Sequence, residues 1–318
     1  MNSSGKVLIL GASGGIGGEV ARRLVADNWQ VRALKRDAQI RDPEDGIQWI
    51  AGDALDGGQV AAAAAGCDVI VHAVNPPGYR HWRQQVLPML RNTLQAAERQ
   101  RALVVLPGTV YNYGPDAFPL IAEEAAQQPV TRKGAIRVAM ELALKDYVQR
   151  GGRALIVRAG DFFGPRAGNN WFSQGLVKPG QLPRIISYPG AIGVGHQWAW
   201  LPDVAATIAA LLMQGHWDPD GSEMSQAIQR VVARYGGRAV VKSFPWWLVK
   251  LAAPFNATLR EMVEMHYLWR LPVRLRNDKL VDFLGAEPHT PLDSAVYQTL
   301  QGLGCLPAGA INQEAGEA

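Results

Sequence analysis

Two hydrophobic periods alternate along the first half of this chain. Short, mainly apolar runs at residues 6–10, 30–34, 47–51, 69–73, 103–106 and 154–158 read as strands. Stretches in which apolar positions recur every three or four residues follow several of them. Ile16, Val20 and Leu24 stand on one face of a helix, a helix-prone run covers 61–65, and longer helical patterns cover 82–99 and 131–150. Strands alternating with helices predict an α/β fold, a Rossmann-type doubly wound parallel sheet. The β-branched run Val69-Ile70-Val71-His72-Ala73 suits a strand buried on both faces. A histidine inside such a strand reads as a core residue, so His72 is not taken as catalytic.

Past Pro165 the pattern changes. Residues 166–200 are rich in Gly, Pro, Trp and Asn and show little periodicity. An apolar helix is expected at 204–213, and 244–271 is aromatic and helical, with Trp246, Trp247, Tyr267 and Trp269. Clustered tryptophans of this kind usually form core, and near a cleft they also shape an apolar pocket. The expected division is a Rossmann domain over 1–165 and a smaller substrate-binding region over 166–318, with 198–215 packing back on the first. The tail from about Asn312 is expected to be disordered.

The first strand runs into Gly11-Ala12-Ser13-Gly14-Gly15-Ile16-Gly17, and a helix follows at once. Strand, glycine turn and helix make the first half of a βαβ unit that binds a dinucleotide. Gly11 permits the tight turn, Gly14 lets backbone approach a pyrophosphate, and Gly17 lets the helix lie against the strand. The helix start, with Ser13, Gly15 and Ile16, offers N–H groups and a positive dipole end to phosphate. At the end of the second strand, Lys35-Arg36 stands where an acid would hold the 2′-hydroxyl of NAD. Basic residues there favour the 2′-phosphate of NADP, with Arg36 as its partner and Lys35 assisting; NAD is the less favoured cofactor. Asp53 either accepts from the adenine amino group or caps the next turn. Ala73, Val74 and Asn75 after the fourth strand, Pro107 and Gly108 after the fifth, and Phe162 after the sixth complete the expected cofactor cleft.

Composition adds mainly exclusions. A formal charge of +4, spread along 318 residues, gives no basic stripe for nucleic acid. Cys67 and Cys305, far apart, offer neither a disulfide framework nor a zinc site, and no metal is expected. The first strand leaves no room for a signal peptide. Lys250 and Pro254 interrupt 244–255, the best candidate for a membrane span. A cytoplasmic protein with a small-molecule substrate, and neither nucleic acid nor membrane as partner, is the expectation.

The order of motifs resembles the short-chain dehydrogenase/reductase superfamily, in its extended and atypical branches. Those branches hold nucleotide-sugar epimerases, isoflavone-reductase-like enzymes and redox-sensing regulators. The residues that carry the likeness are the glycine turn, Gly52-Asp53, Val71-His72-Ala73, Val110-Tyr111, Gly160-Asp161-Phe162-Phe163-Gly164-Pro165 and Leu201-Pro202-Asp203-Val204-Ala205. It covers residues 5–215, with a weaker echo to about 303. The resemblance implies a Tyr-x-x-x-Lys pair that handles the substrate proton, and a Ser or Thr that orients the substrate oxygen. Here Lys133 falls where the Tyr belongs and Arg137 where the Lys belongs. The Ser position leaves Pro107 and Gly108, with Thr109 the nearest hydroxyl.

Isoflavone-reductase-like enzymes carry a Lys at about this point, and by that resemblance Lys133 becomes the general acid/base. Burial and the neighbouring Arg137 would depress its pKa. One helical turn separates the two, so both can face the cofactor, Arg137 holding the ribose. Tyr111 and Tyr113 are alternative proton donors; Asn112 and Thr109 orient substrate or support the turn. The reading is therefore an NADP(H)-dependent oxidoreductase that reduces a carbonyl or activated double bond in a small, partly apolar substrate. A non-catalytic NADP(H) sensor is its rival, and a nucleotide-sugar epimerase or dehydratase a weaker one. The resemblance also leaves a homodimer open.

Overall fold

The computed structural model describes residues 5–37, 45–76, 82–168, 170–191, 193–213, 224–271 and 273–306. The tail from about Asn312, Pro77 of the fourth-strand break, and residues 214 and 215 lie outside these. In chain order the first part comprises β1 (Lys6–Leu10), α1 (Gly15–Ala26), β2 (Gln30–Lys35), β3 (Ile47–Ala51), α2 (Gly57–Ala63) and β4 (Val69–His72). It continues with α3 (Trp82–Gln100), β5 (Leu103–Thr109), the two-residue β6 (Leu120–Ile121), α4 (Arg132–Gln149) and β7 (Arg153–Ala159).

Six strands form one sheet in the order β3-β2-β1-β4-β5-β7, and every pairing in it is parallel. The chain builds outward from β1 in both directions, so a crevice opens at the carboxyl ends of β1 and β4. Period-two alternation sorts β1 between two cores. Leu8 and Leu10 face α2, α3 and α4 with Ile70, Val104 and Leu106. Val7 and Ile9 face the other layer with Val20, Leu24, Val71 and Val105. These side chains are essentially inaccessible, and burying each contributes roughly 1.5–3 kcal/mol. That sum holds the sheet's centre rigid beneath the crevice.

Two elements differ from their sequence patterns. Helix α2 begins before the alanine run because Asp56 caps it, accepting from the amides of Gly58 and Gln59 at 2.9 and 3.0 Å. Strand β5 runs on through Pro107 and Gly108 to Thr109. Its pairing with β4 has ended by Val105, so Pro107 stands where only β7 flanks the strand and no donor is missed.

The rest of the described chain comprises β8 (Asp161–Phe163), β9 (Ile185–Tyr188), β10 (Trp198–Trp200), α5 (Leu201–Met213), α6 (Met224–Arg234), β11 (Val240–Ser243), α7 (Trp246–Ala252), α8 (Ala257–Glu264), β12 (Arg274–Leu275), α9 (Asp278–Leu284) and α10 (Leu292–Gly302). Three small parallel pairs, β8–β10, β9–β11 and β6–β12, tie it together. Helix α5 lies against α1, with Val204, Ala205 and Ile208 in the core shared with β1. A separate core joins α6 and α10 to Phe163, Phe172, Trp198 and Trp269. Of the clustered aromatics Trp269 is core, while Trp247 is 68% exposed and departs from the expectation of a buried cluster. Among the described residues no helix is long and apolar enough to cross a membrane.

Candidate functional site

One cavity of about 710 Å³ runs along the carboxyl ends of the sheet strands. Its floor is the glycine turn. Gly11 has φ +93°, a region that L side chains avoid, and a Cβ there would lie 2.6 Å from the Ala73 carbonyl oxygen. Gly17 does not line the cavity. It lets α1 dock, since a Cβ would sit 2.3 Å from the Gly11 carbonyl oxygen. Ser13, Gly14, Gly15 and Ile16 do line it, and no side chain caps the start of α1 at Gly14. The first-turn amides and the helix dipole are thus presented to the cavity, which fits the pyrophosphate of a dinucleotide. The loop at Arg166-Ala167-Gly168 covers this end, and Arg166 fastens it to α1 through Glu19 at 3.1 Å.

Lys35, Arg36 and Asp53 line the same end. Lys35 pairs with Asp37 at 3.2 Å. Asp53 does serve the adjacent turn, accepting the Leu55 amide at 2.9 Å, while also facing the cavity. Further along stand Ala73, Val74, Asn75, Thr109 and Phe162. Pro107 and Gly108, expected here, lie inside β5, because the strand continues to Thr109 before it meets the cavity.

The far end is made of side chains. The Thr131 hydroxyl caps α4 by accepting the Gly134 amide at 3.0 Å, which sets Lys133 and Arg137 one turn apart on the cavity side. Both are buried. Arg137 donates to Asn75 at 3.4 Å and lies over the Trp82 ring at 5.4 Å. The Lys133 ammonium is 3.5 Å from Glu261 of α8. Burial pushes its pKa below the ordinary lysine value, against the opposing pull of Glu261, Glu264 and Asp161.

Tyr111 lines the cavity, and its hydroxyl donates to Asp161 at 3.2 Å. The other Asp161 oxygen meets His196 Nε2 at 2.9 Å, and His196 Nδ1 donates to the Leu268 carbonyl at 3.2 Å. Tyr113 is placed elsewhere. Residues two apart share a face only in extended chain, whereas Val110–Asn112 forms a turn of 3-10 helix that rotates Tyr113 away. Its ring is fully buried with the Arg158 guanidinium 5.0 Å above it, and burial raises its pKa. Thr109 faces the cavity while its hydroxyl donates to Asn112 at 3.3 Å, which supports the turn. Arg158 and Glu141 pair at 2.7 Å behind this wall. His72 is a core residue: Nδ1 meets the Thr93 hydroxyl at 2.7 Å, and burial, with the charge of Arg137, pushes its pKa down to about 3.

Asp161, His196, Glu261 and Trp171 were not singled out from sequence. Asp161 stood inside a quoted motif, Gly160 to Pro165, and an acid at a strand's carboxyl end was the available signal. Trp171 and His196 come from a segment with little periodicity, and Glu261 from a stretch read only as aromatic and helical. Among the described residues no cluster of His, Cys, Asp or Glu fits a metal ion.

Comparison with known proteins agrees with this geometry. Residues 11–154 match a family described as NAD(P)H-binding. A Sinorhizobium fredii protein, y4nL, which is uncharacterized, is 28% identical over 206 residues; the match spans 57% of each chain. Solved structures share the fold across nearly the whole chain. The Bordetella bronchiseptica enzyme WbmH, in complex with NAD+, is 17% identical with a TM-score of 0.65, covering 94% of this chain and 98% of its own. UDP-glucuronic acid 4-epimerase from Bacillus cereus, in complex with NAD, is 13% identical with a TM-score of 0.69 and the same coverage, 94% and 98%. Thermus thermophilus UDP-glucose 4-epimerase with NAD is 20% identical with a TM-score of 0.66, again over 94% and 98%. The fold is thus shared with these solved structures, C-terminal region included.

Proposed function

We propose that this protein is an NADP(H)-dependent oxidoreductase of atypical short-chain type. Its substrate would be a small, partly apolar carbonyl or enone compound. The observation that carries the reading is Lys133: a buried lysine with lowered pKa that lines the same cavity as the dinucleotide-type glycine turn. NADPH, when bound, supplies the hydride. Arg36 and Lys35 would hold its 2′-phosphate, the start of α1 its pyrophosphate, and Arg137 its nicotinamide ribose.

Lys133 Nζ then donates the proton to the substrate oxygen or carbon. Tyr111 is less suited to that role, because its hydroxyl hydrogen is directed at Asp161. In this arrangement its lone pairs orient a donor instead. Met262, Met265 and Trp171 line the substrate end and would exclude water around the reacting atoms.

A redox sensor without chemistry is the second reading. The Lys133–Glu261 ion pair favours it, since the ammonium would then serve as a structural cation between α4 and α8. The structural neighbours raise an epimerase, against which stand the basic Lys35-Arg36 and Lys133 in the tyrosine's place.

The test uses NADPH deuterated at the nicotinamide C4, on each face in turn, with carbonyl and enone compounds and detection by mass spectrometry. Label should reach a product with the parent protein and vanish with Lys133→Ala. Tight NADPH binding without any labelled product would make the sensor the better account.

A further inference from the structure

The best membrane-span candidate by sequence, 244–255, carries the three most exposed large hydrophobic side chains among the described residues. Trp247, Leu248 and Leu251 of α7 are 68%, 46% and 69% exposed, and Phe255, one turn further on, is 91% exposed. Positions 247 and 251 follow the helical repeat of about four and share one outward face of α7, and Phe255 extends this exposed apolar surface from the 3-10 turn that follows. The inward side is fixed by Val249, which is buried, and by Trp246, whose indole nitrogen donates to the Pro189 carbonyl at 2.8 Å. A ridge so anchored is a built surface.

Charge around the ridge has one sign. No aspartate or glutamate occurs from Met224 to Arg260, while Arg238, Lys242, Lys250 and Arg260 are exposed. Arg260 donates to the Pro254 carbonyl at 3.0 Å, which holds its guanidinium beside the turn that carries Phe255. The acids that follow are already paired within the fold. Glu264 binds Arg132 Nε at 2.7 Å, and Glu261 stands 3.5 Å from Lys133. We propose that the α7 ridge is a membrane-interface surface that seats this protein on an anionic bilayer. Tryptophan, leucine and phenylalanine would enter the headgroup boundary while the lysines and arginines meet lipid phosphates.

A second copy is the weaker occupant. Two-fold pairing sets a patch against itself, so these cations would face their own images without an acid in the segment to answer them. The same hairpin also reaches the cavity. Helix α7 packs on α8, and Thr258, Glu261 and Met262 of α8 line its substrate end. Resting on the reductase reading above, this places the entrance for an apolar substrate at the lipid surface. It also revises the expectation that no membrane takes part.

The test is flotation of the full chain with vesicles of phosphatidylcholine alone and of phosphatidylcholine with phosphatidylglycerol. The parent should float with the anionic vesicles, about tenfold or more over the neutral ones, and added salt should weaken this. Leu251→Ser with Phe255→Ser should lose about tenfold or more, and Lys242→Gln with Lys250→Gln should lose binding to anionic vesicles only. Equal flotation of parent and serine variant, or none with either vesicle, overturns the proposal. So does a vesicle-free dimer that the serine variant dissociates, or capture by an acidic protein with no lipid binding. NADPH titration of the same samples keeps the readings separate. Intact NADPH binding without flotation removes the membrane surface alone; flotation without NADPH binding removes the reductase alone.

Discussion

The two ends of the cavity are made of different material. At the cofactor end the groups that face the pyrophosphate position are backbone: the Gly11 turn, the uncapped start of α1, and the loop at Ala167, with the Lys35 and Arg36 side chains beside them. They sit on strands whose side chains are inaccessible. At the substrate end the working groups are long side chains, Lys133, Tyr111, Asp161 and Glu261, brought from four separated segments. Backbone geometry is written in adjacent residues, and its tolerance for change is small. A constellation of side chains depends on pairings far apart in sequence, and single groups in it can be altered without loss of the fold.

That contrast orders the expected effects. Gly17→Val should be the most damaging change, because its Cβ would collide with the Gly11 carbonyl and dislodge α1. A loss of about 3 kcal/mol of unfolding free energy is expected, read in urea, together with loss of NADPH binding. A stable, NADPH-binding variant would break the claim that backbone packing builds this end. Lys133→Met should instead fold normally and lower turnover by roughly a hundredfold or more, with NADPH affinity within about threefold. Arg36→Glu should do the opposite, weakening NADPH by roughly tenfold, about 1.4 kcal/mol, while NADH is little affected.

Two pH effects sharpen the comparison. The acid form of Lys133 is lost as pH rises through its lowered pKa, so reductase turnover should fall on the alkaline side well before an ordinary lysine would titrate. Glu261 raises that pKa, and Glu261→Gln should therefore move the falling limb to lower pH. An unmoved limb would separate the two groups. His72, in the sheet, gives a stability effect. Its folded pKa of about 3 lies below the model-compound value of 6.5, so the unfolded chain binds more protons between them. Stability should then rise with pH across that window and fall as pH drops from about 6.5 towards 3. His72→Gln should flatten this slope in acid-unfolding curves.

The sequence made the backbone end readable and the side-chain end only partly so. The six parallel strands announce themselves as apolar runs, and the glycine turn fixes its own ligand geometry. Lys133 and Arg137 were visible because they replace a pair at fixed spacing on a helix. Tyr113 misled because a short 3-10 turn rotates the chain between two tyrosines, which spacing alone does not show. His196 lies in a stretch where no periodicity marks an element, and Glu261 lies in a stretch read as helical with nothing to mark its partner. Their partners Asp161 and Lys133 are reached only through the β8–β10 pairing and the ion pairs between α8 and the start of α4. The exposed α7 ridge carried the opposite difficulty, since its composition resembles core and only its surroundings reveal it as surface.

The most direct test of the two-ended account is a fluorescence titration of NADPH and NADH with the parent, Arg36→Glu and Lys133→Met. The account predicts that Arg36→Glu selectively weakens NADPH while Lys133→Met leaves both cofactors within about threefold of the parent. Indifference to Arg36→Glu, or loss of both cofactors in Lys133→Met, would contradict it.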